Sequence, residues 1–351
     1  MRRLPIYFLI DVSESMVGEP IRQLEKALTS IVNKLRQDPQ ALETAYLSII
    51  AFAGKAKTLT PLVDLATFYM PQIPIGSGTS LGAGLEHLVR EIESGVKATT
   101  AEQRGDWKPL VFLITDGKPT DNPENGIAKW KQYDRNNESF VAITLGHNAD
   151  LQTLAKLTPN ILAIDNLNDS TIQSFVNWIS ASVGTHSQAL GNQATTSGIS
   201  LAKPDKNLVI VENASEHQPA DPDHVIISAK CQKTLKPYLL KYTMPDMTGF
   251  ERFAMQHFEL EGVFALDSSY DEMSASGHCA DKVNTRRPNG AAGCPHCGNP
   301  FGFAMCKCGG VLCVGVDGKA ICPHCDTPIQ FDMDSSGSGE FDVGRCVIIN
   351  F

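Results

Sequence analysis

The chain is 351 residues long, enough for two domains with separate cores, and its 42% hydrophobic and 20% charged residues make an ordinary globular balance. A formal net charge of −9 disfavours general attraction to a phosphate backbone, and no apolar run approaches the roughly 20 residues that cross a bilayer. These values argue against a membrane-spanning chain. They leave nucleic-acid binding as a lesser alternative, kept open by the bases Lys282, Arg286, Arg287, Lys307 and Lys319 around the cysteines.

The first segment, MRRLPIYFLIDVSE, has a short apolar run and no cleavage-site pattern, so a reducing, cytoplasmic setting is expected. LPIYFLI (4–10) reads as a strand, followed by an amphipathic helix from Pro20 to about Leu35 and a strand AYLSIIAFAG (45–54). A helix from Ser80 to Ile92 precedes the strands PLVFLIT (109–115) and SFVAITLG (139–146). A short helix DLQTLAKLT, a strand ILAID (161–165) and a helix STIQSFVNWISASV (170–183) complete the first half. Near-continuous apolar strands alternating with helices predict a doubly wound, Rossmann-like α/β domain over 1–185 with a mostly parallel sheet.

Polar and small residues without periodicity over 186–204 read as a linker. Beyond it, NLVIVENA, HVIISAK and PYLLKYT are strand candidates, Phe250 to Leu266 fits strand or helix, and the tail ends on a last apolar strand. The region 205–351 is therefore expected to be a β-rich second domain.

Seven of the ten cysteines lie between Cys294 and Cys325. The two Cys-Pro-His-Cys segments, Cys294/Cys297 and Cys322/Cys325, are CxxC turns, each aiming two thiolates at one point, and zinc takes four such ligands in a tetrahedron. A zinc ribbon at about 290–330 follows, holding one or two ions. The simplest allocation places one zinc on Cys294, Cys297, Cys322 and Cys325 and leaves Cys306, Cys308 and Cys313 unused. A two-ion alternative gives Cys308, Cys313, Cys322 and Cys325 to one centre. Cys294, Cys297 and Cys306 then form the other, completed by Cys231 or, as substitutes, by His278, Cys279 or Cys346. His296 and His324 are expected to point outward.

Asp11, Ser13 and Ser15 follow the first strand, where open α/β sheets place their ligand sites. Gly76-Ser-Gly-Thr79-Ser80 opens a helix, and Thr115-Asp116-Gly117 ends a buried strand. Taken singly, such residues are ordinary turn formers and helix caps. Together they offer hard oxygen ligands suited to magnesium. The order DxSxS, GTS, TDG resembles the von Willebrand factor A family and its metal-ion-dependent adhesion site over about residues 1–185. That resemblance implies Ser13, Ser15 and Thr79 as hydroxyl ligands of Mg2+ or Mn2+, with Asp11 and Asp116 holding the ion directly or through water. Glu14 and Asp121 lie nearby and are expected to be solvated.

With the cysteine segments CPHCG, CKCGG and CPHC and the stretch CQKTLKPYLLKY, nearly the whole chain resembles the TerY family of tellurite-resistance-associated proteins. The resemblance implies a bacterial cytosolic interaction protein beside a protein kinase and a PP2C-type phosphatase, a partner supplying the Asp or Glu that completes the ion's shell. An enzyme acting in phosphoryl transfer or hydrolysis is the competing reading. The sequence has no P-loop pattern, no nucleophile elbow and no matched general base to favour it.

Overall fold

In the computed structural model the described residues are 2–102, 104–134, 140–146, 149–164, 168–191, 202–203, 208–211, 224–245, 258–275, 281–284, 288–290, 292–331 and 342–345. The chain forms two compact units, one from Met1–Pro74 and Thr79–Ala220, the other from Ile75–Gly78 and Asp221–Phe351.

The first unit runs β1 (Leu4–Asp11), α1 (Glu19–Arg36), α2 (Pro39–Thr44), β2 (Ala45–Phe52), β3 (Ala56–Asp64), α3 (Leu81–Gly95) and β4 (Leu110–Thr115). It continues with α4 (Glu124–Tyr133), β5 (Phe140–Leu145), α5 (Leu151–Leu157), β6 (Ile161–Ile164), α6 (Asp169–Gly191) and β7 (Val209–Ile210). Sheet order is β3-β2-β1-β4-β5-β6-β7. From β2 through β6 all neighbours are parallel, while β3 and β7 are antiparallel edges. Every residue of β1, β4 and β5 is buried, because helices cover both faces. Tyr7, Leu9, Val111 and Leu113 pack with α3, α4 and α5. On the opposite face Phe8 stacks on Phe112, Phe112 meets Trp178 of α6 edge-on, and α6 packs on α1.

Three features depart from the sequence expectation. β3 is half-exposed and contains Pro61, which an edge tolerates because no neighbour needs its missing N–H. The helix expected to end at 183 continues to Gly191, and Trp178 Nε1 donates to the carbonyl of Ala202 at 2.9 Å, within the expected linker. Val209–Ile210, assigned by pattern to the second domain, instead closes the first sheet beside β6, so the first unit extends to Ala220. Among the described residues no helix is long and apolar enough to cross a membrane.

The second unit contains β8 (His224–Lys230), β9 (Pro237–Thr243), β10 (Phe258–Ala265), β11 (Asp281–Asn284), β12 (Pro288–Asn289), β13 (Phe301–Met305), β14 (Val311–Val314), β15 (Lys319–Ile321), β16 (Pro328–Gln330) and β17 (Asp342–Arg345). A six-stranded sheet, β12-β10-β9-β8-β14-β13, carries two small ribbons, β11-β17 and β15-β16. The stretch that fitted strand or helix is thus a strand over Phe258–Ala265.

α3 and α4 approach closely through glycines: a Cβ added at Gly126 would stand 2.6 Å from the Gly82 carbonyl oxygen. Backbone cannot rotate away as a side chain can, so Gly126→Ala should destabilise the first unit by roughly 1–3 kcal/mol. Calorimetric scanning should show the first unit's transition shifted down while zinc content stays that of wild type.

Candidate metal centres

Strand order places the first centre. The chain leaves β1 toward β2 and β3, then returns to β4 and continues through β5 and β6 on the other side, so the order reverses between β1 and β4. Loops after these two strands diverge and open a crevice there. β1 and β4 run in register up to Ile10 opposite Ile114, setting Asp11 beside Thr115.

Asp11 has no exposed surface. Its carboxylate accepts from the Thr115 hydroxyl at 2.6 Å and from the Ser13 backbone N–H at 2.9 Å. Ser13 Oγ lies 3.0 Å from Ser15 Oγ, and Ser15 Oγ donates to Asp116 at 2.8 Å. Thr79 is buried, and its hydroxyl lies 3.8 Å from where a Cβ at Gly117 would stand. The structure thus brings Asp11, Ser13, Ser15 and Asp116 into one hydrogen-bonded chain and sets Thr79 beside Gly117, the residue that follows Asp116. Burial pushes the Asp11 carboxyl from 3.8 up to about 6, against the hydrogen bonds from Thr115 and Ser13. A buried carboxylate among hydroxyls and a second carboxylate is a donor set that fits a hard divalent cation.

Two residues that sequence reasoning assigned to solvent are part of this framework. Asp121 caps α3 from another loop, accepting from Gly82 N–H at 3.2 Å and Ala83 N–H at 3.1 Å, and Glu14 is buried. Thr120, overlooked in the sequence, holds Thr79 on both sides: its hydroxyl accepts from Thr79 N–H at 2.8 Å, and its own N–H donates to the Thr79 carbonyl at 2.9 Å. Nothing local in the TDGKPTD run marks either role, since the backbone groups that Thr120 and Asp121 bind lie 38 to 41 residues back along the chain.

The cysteines form two sets, Cys231, Cys294, Cys297 and Cys313, and Cys306, Cys308, Cys322 and Cys325, with the sulfurs of each within 4.8 Å of one another. Sγ–Sγ distances of 3.7 Å for Cys297–Cys313, Cys306–Cys325 and Cys308–Cys322 are too long for disulfides. They match the edge, about 3.8 Å, of a tetrahedron whose sulfurs stand ~2.3 Å from a zinc ion. Both sulfur sets therefore fit zinc.

Both allocations drawn from spacing require correction. The two CPHC turns serve different centres, and in the two-ion split Cys306 and Cys313 exchange places. Cys306 and Cys308 share one tight turn, closed by Cys306 N–H to Gly310 O at 2.9 Å and Gly309 N–H to Cys306 O at 2.8 Å, so they face one centre. Cys313 lies on β14, whose side chains alternate: Val311 and Cys313 enter the core of Cys231 and Cys294, whereas Leu312 and Val314 enter that of Cys306 and Cys322. Cys231 is one of the ligand set, and the substitutes His278, Cys279 and Cys346 lie outside the described residues.

Cys231 occupies a concealed copy of the CPHC turn. Cys231, Cys294 and Cys322 each donate N–H to the carbonyl five residues on (Lys236, Asn299, Thr327) and accept from the N–H four residues on (Leu235, Gly298, Asp326). Positive φ at Leu235, Gly298 and Asp326 closes the turn. In CQKTLK, Thr234 stands where a second cysteine would, so the motif escapes a search for CxxC; Cys313 supplies the missing sulfur. The histidines, expected to point outward, bind backbone instead: His296 Nε2 meets Pro237 O at 2.8 Å, and the more exposed His324 meets Val311 O at 3.1 Å. Each links its own turn to the residue just beyond the partner turn of the same centre.

Asp11 yields a signed pH dependence. Its folded value of about 6 exceeds the ordinary 3.8, so the proton stabilises the fold at low pH, and this contribution is lost as pH rises toward and through about 6. The difference is worth on the order of 3 kcal/mol. Without magnesium, the first unit's Tm should fall between pH 4 and 7; Asp11→Asn, keeping the Thr115 and Ser13 bonds, should flatten that profile, raise the magnesium-free Tm at pH 7 and abolish stabilisation by magnesium. For the sulfur sets, Cys231→Ser should reduce tightly held zinc from about two ions per chain to about one, whereas Cys279→Ser leaves both. Elemental analysis after dialysis decides between these.

Residues 6–178 match the family model of the von Willebrand factor type A domain, and residues 221–347 that of the TerY-C metal binding domain. The chain is 26% identical over 125 residues to inter-alpha-trypsin inhibitor heavy chain H1 of Sus scrofa, covering 33% of this chain and 13% of that protein. It is 30% identical over 131 residues to heavy chain H4 of Bos taurus, with 35% and 13% covered, so it spans a small part of these relatives. Among solved structures, proximal thread matrix protein 1 of the mussel byssus aligns with a TM-score of 0.39 at 16% identity, covering 52% of this chain and 48% of that one. A von Willebrand factor type A protein from Catenulispora acidiphila aligns with a TM-score of 0.37 at 15% identity, covering 52% and 43%. With one family model matched over the oxygen centre and the other over both sulfur centres, the chain has the TerY-like architecture, a von Willebrand factor type A domain followed by a TerY-C metal binding domain.

Proposed function

We propose that this chain is a metal-dependent interaction protein, in which Mg2+ or Mn2+ held by Asp11, Ser13, Ser15, Thr79 and Asp116 captures an Asp or Glu of a protein partner. The observation that carries this reading is the fully buried Asp11 carboxylate at the point where strand order reverses, surrounded by hydroxyls and joined through Ser13 and Ser15 to Asp116. Such a carboxylate is poorly solvated without a cation, and an octahedral ion completed by water has a coordination position to offer an acidic side chain. Zinc in the two sulfur sets has four thiolates each, a closed arrangement that serves folding rather than chemistry, which favours a binding role over an enzymatic one. The TerY resemblance makes a neighbouring protein kinase or PP2C-type phosphatase the first candidate partner, in cytoplasmic tellurite-resistance and stress signalling.

Asp116→Ala should abolish capture of such a partner with only a modest change in stability, since Asp116 stands beyond the end of β4 and the apolar strands carry the core. Titration calorimetry of the full chain against the kinase and the phosphatase, with and without magnesium, checks this. Loss of heat in Asp116→Ala and without magnesium is the expected result; equal affinity in all arms would move recognition away from this centre.

A further inference from the structure

The two sulfur centres are chemically alike but differently placed. In the first, Cys231, Cys294 and Cys313 are buried and Cys297 is half-buried; in the second, Cys306 and Cys322 are buried while Cys308 and Cys325 are exposed. The first set lies within the main core of its unit, among Val225, Ile227, Tyr238 and Leu240. Its Cys313 sulfur accepts from the buried Asn299 amide at 3.5 Å and its Cys231 sulfur from Thr234 N–H at 3.4 Å. The second rests on a small satellite cluster of Leu312, Val314 and Ala320. A reagent reaching a thiolate must touch sulfur, so burial protects the first centre. Hydrogen bonds to sulfur do not separate the two, since in the second Cys322 accepts from His324 N–H at 3.4 Å and Cys325 pairs with the Thr327 hydroxyl at 3.3 Å.

We propose that Cys308 and Cys325 form an oxidant-labile thiolate pair, through which two-electron oxidants such as hydrogen peroxide release zinc from the second centre while the first remains loaded. The proposal rests on the reading of both sulfur sets as zinc sites. A thiolate of the pair attacks peroxide, breaking the O–O bond, forming a sulfenic acid and releasing hydroxide. The other thiolate displaces hydroxide from that sulfur, forming the S–S bond. The two cysteines lose two electrons, peroxide gains them, and two hydroxides take up two protons from solvent as water. The sulfurs of this set stand within 4.8 Å of each other, so a disulfide needs only a local shift of two exposed turns. With two of four ligands consumed, the ion is no longer held, and a dithiol reductant with added zinc reverses the change.

The test uses the full chain loaded with zinc, mixed with hydrogen peroxide in the presence of a chromogenic zinc indicator, with samples quenched in denaturant and iodoacetamide for mass mapping of thiols. One ion should leave at least roughly tenfold faster than the other, in step with loss of alkylation at Cys308 and Cys325. Cys308→Ser combined with Cys325→Ser should hold one ion, lack the fast phase and keep the slow one. Equal release rates, first losses at Cys231, Cys294, Cys297 or Cys313, or a fast phase surviving in the double variant overturns the proposal. Zinc measured before oxidant separates the two levels: fewer than two ions per chain means the reading of two zinc centres has failed, whereas two ions leaving at one rate means that only their inequality has.

Discussion

A carboxylate without solvent, at the end of a central strand, sets the terms for the first unit. Asp11 can be ionised there only if its surroundings replace water, and the Thr115 hydroxyl and Ser13 amide do so in part. Neither brings positive charge, and the group stays shifted toward its neutral form. Of the remaining polar groups, the Ser15 hydroxyl can accept as well as donate and the Asp116 carboxylate only accepts, so the cluster favours a cation over any further hydrogen bond. Its position follows from topology, since the loops after β1 and β4 are the pair that the reversal of strand order leaves apart.

The second unit uses sulfur differently. Cys231, Cys294 and Cys313 are part of the apolar core, packed with Tyr238 and Leu240, so metal and hydrophobic burial act on the same side chains. A preformed sheet presents the oxygen ligands, whereas the sulfur ligands are fixed by turns that only become favourable when four thiolates share an ion. Loss of metal therefore has unequal consequences: the first unit loses the cation beside one carboxylate at the end of a strand, the second part of its interior.

Most of the first unit was legible because its signals are local. Continuous apolar strands and the DxSxS, GTS and TDG segments each report the environment of their own residues. What remained hidden depended on neighbours far along the chain. β3 has mixed burial and a proline, so nothing in it announces a strand until β2 is there to pair with it. Thr120 and Asp121 look like turn residues, and their roles toward Thr79, Gly82 and Ala83 appear only when a loop some 40 residues away is brought beside them. Among the cysteines, membership of a metal-binding module was plain from spacing. Assignment to centres was not, because Cys231 sits in a turn whose second cysteine is Thr234 and whose left-handed position is filled by Leu235 rather than glycine.

β14 makes chain length between cysteines a matter of parity. Its even and odd residues enter different cores, and four residues separate Cys308 from Cys313. Insertion or deletion of one residue in that interval would turn an aliphatic side chain toward the first sulfur centre, which loses a ligand, and the Cys313 thiol toward the apolar support of the second. A shift of two residues would restore the face but carry the thiol roughly 6–7 Å along the strand, so the interval measures reach as well as parity.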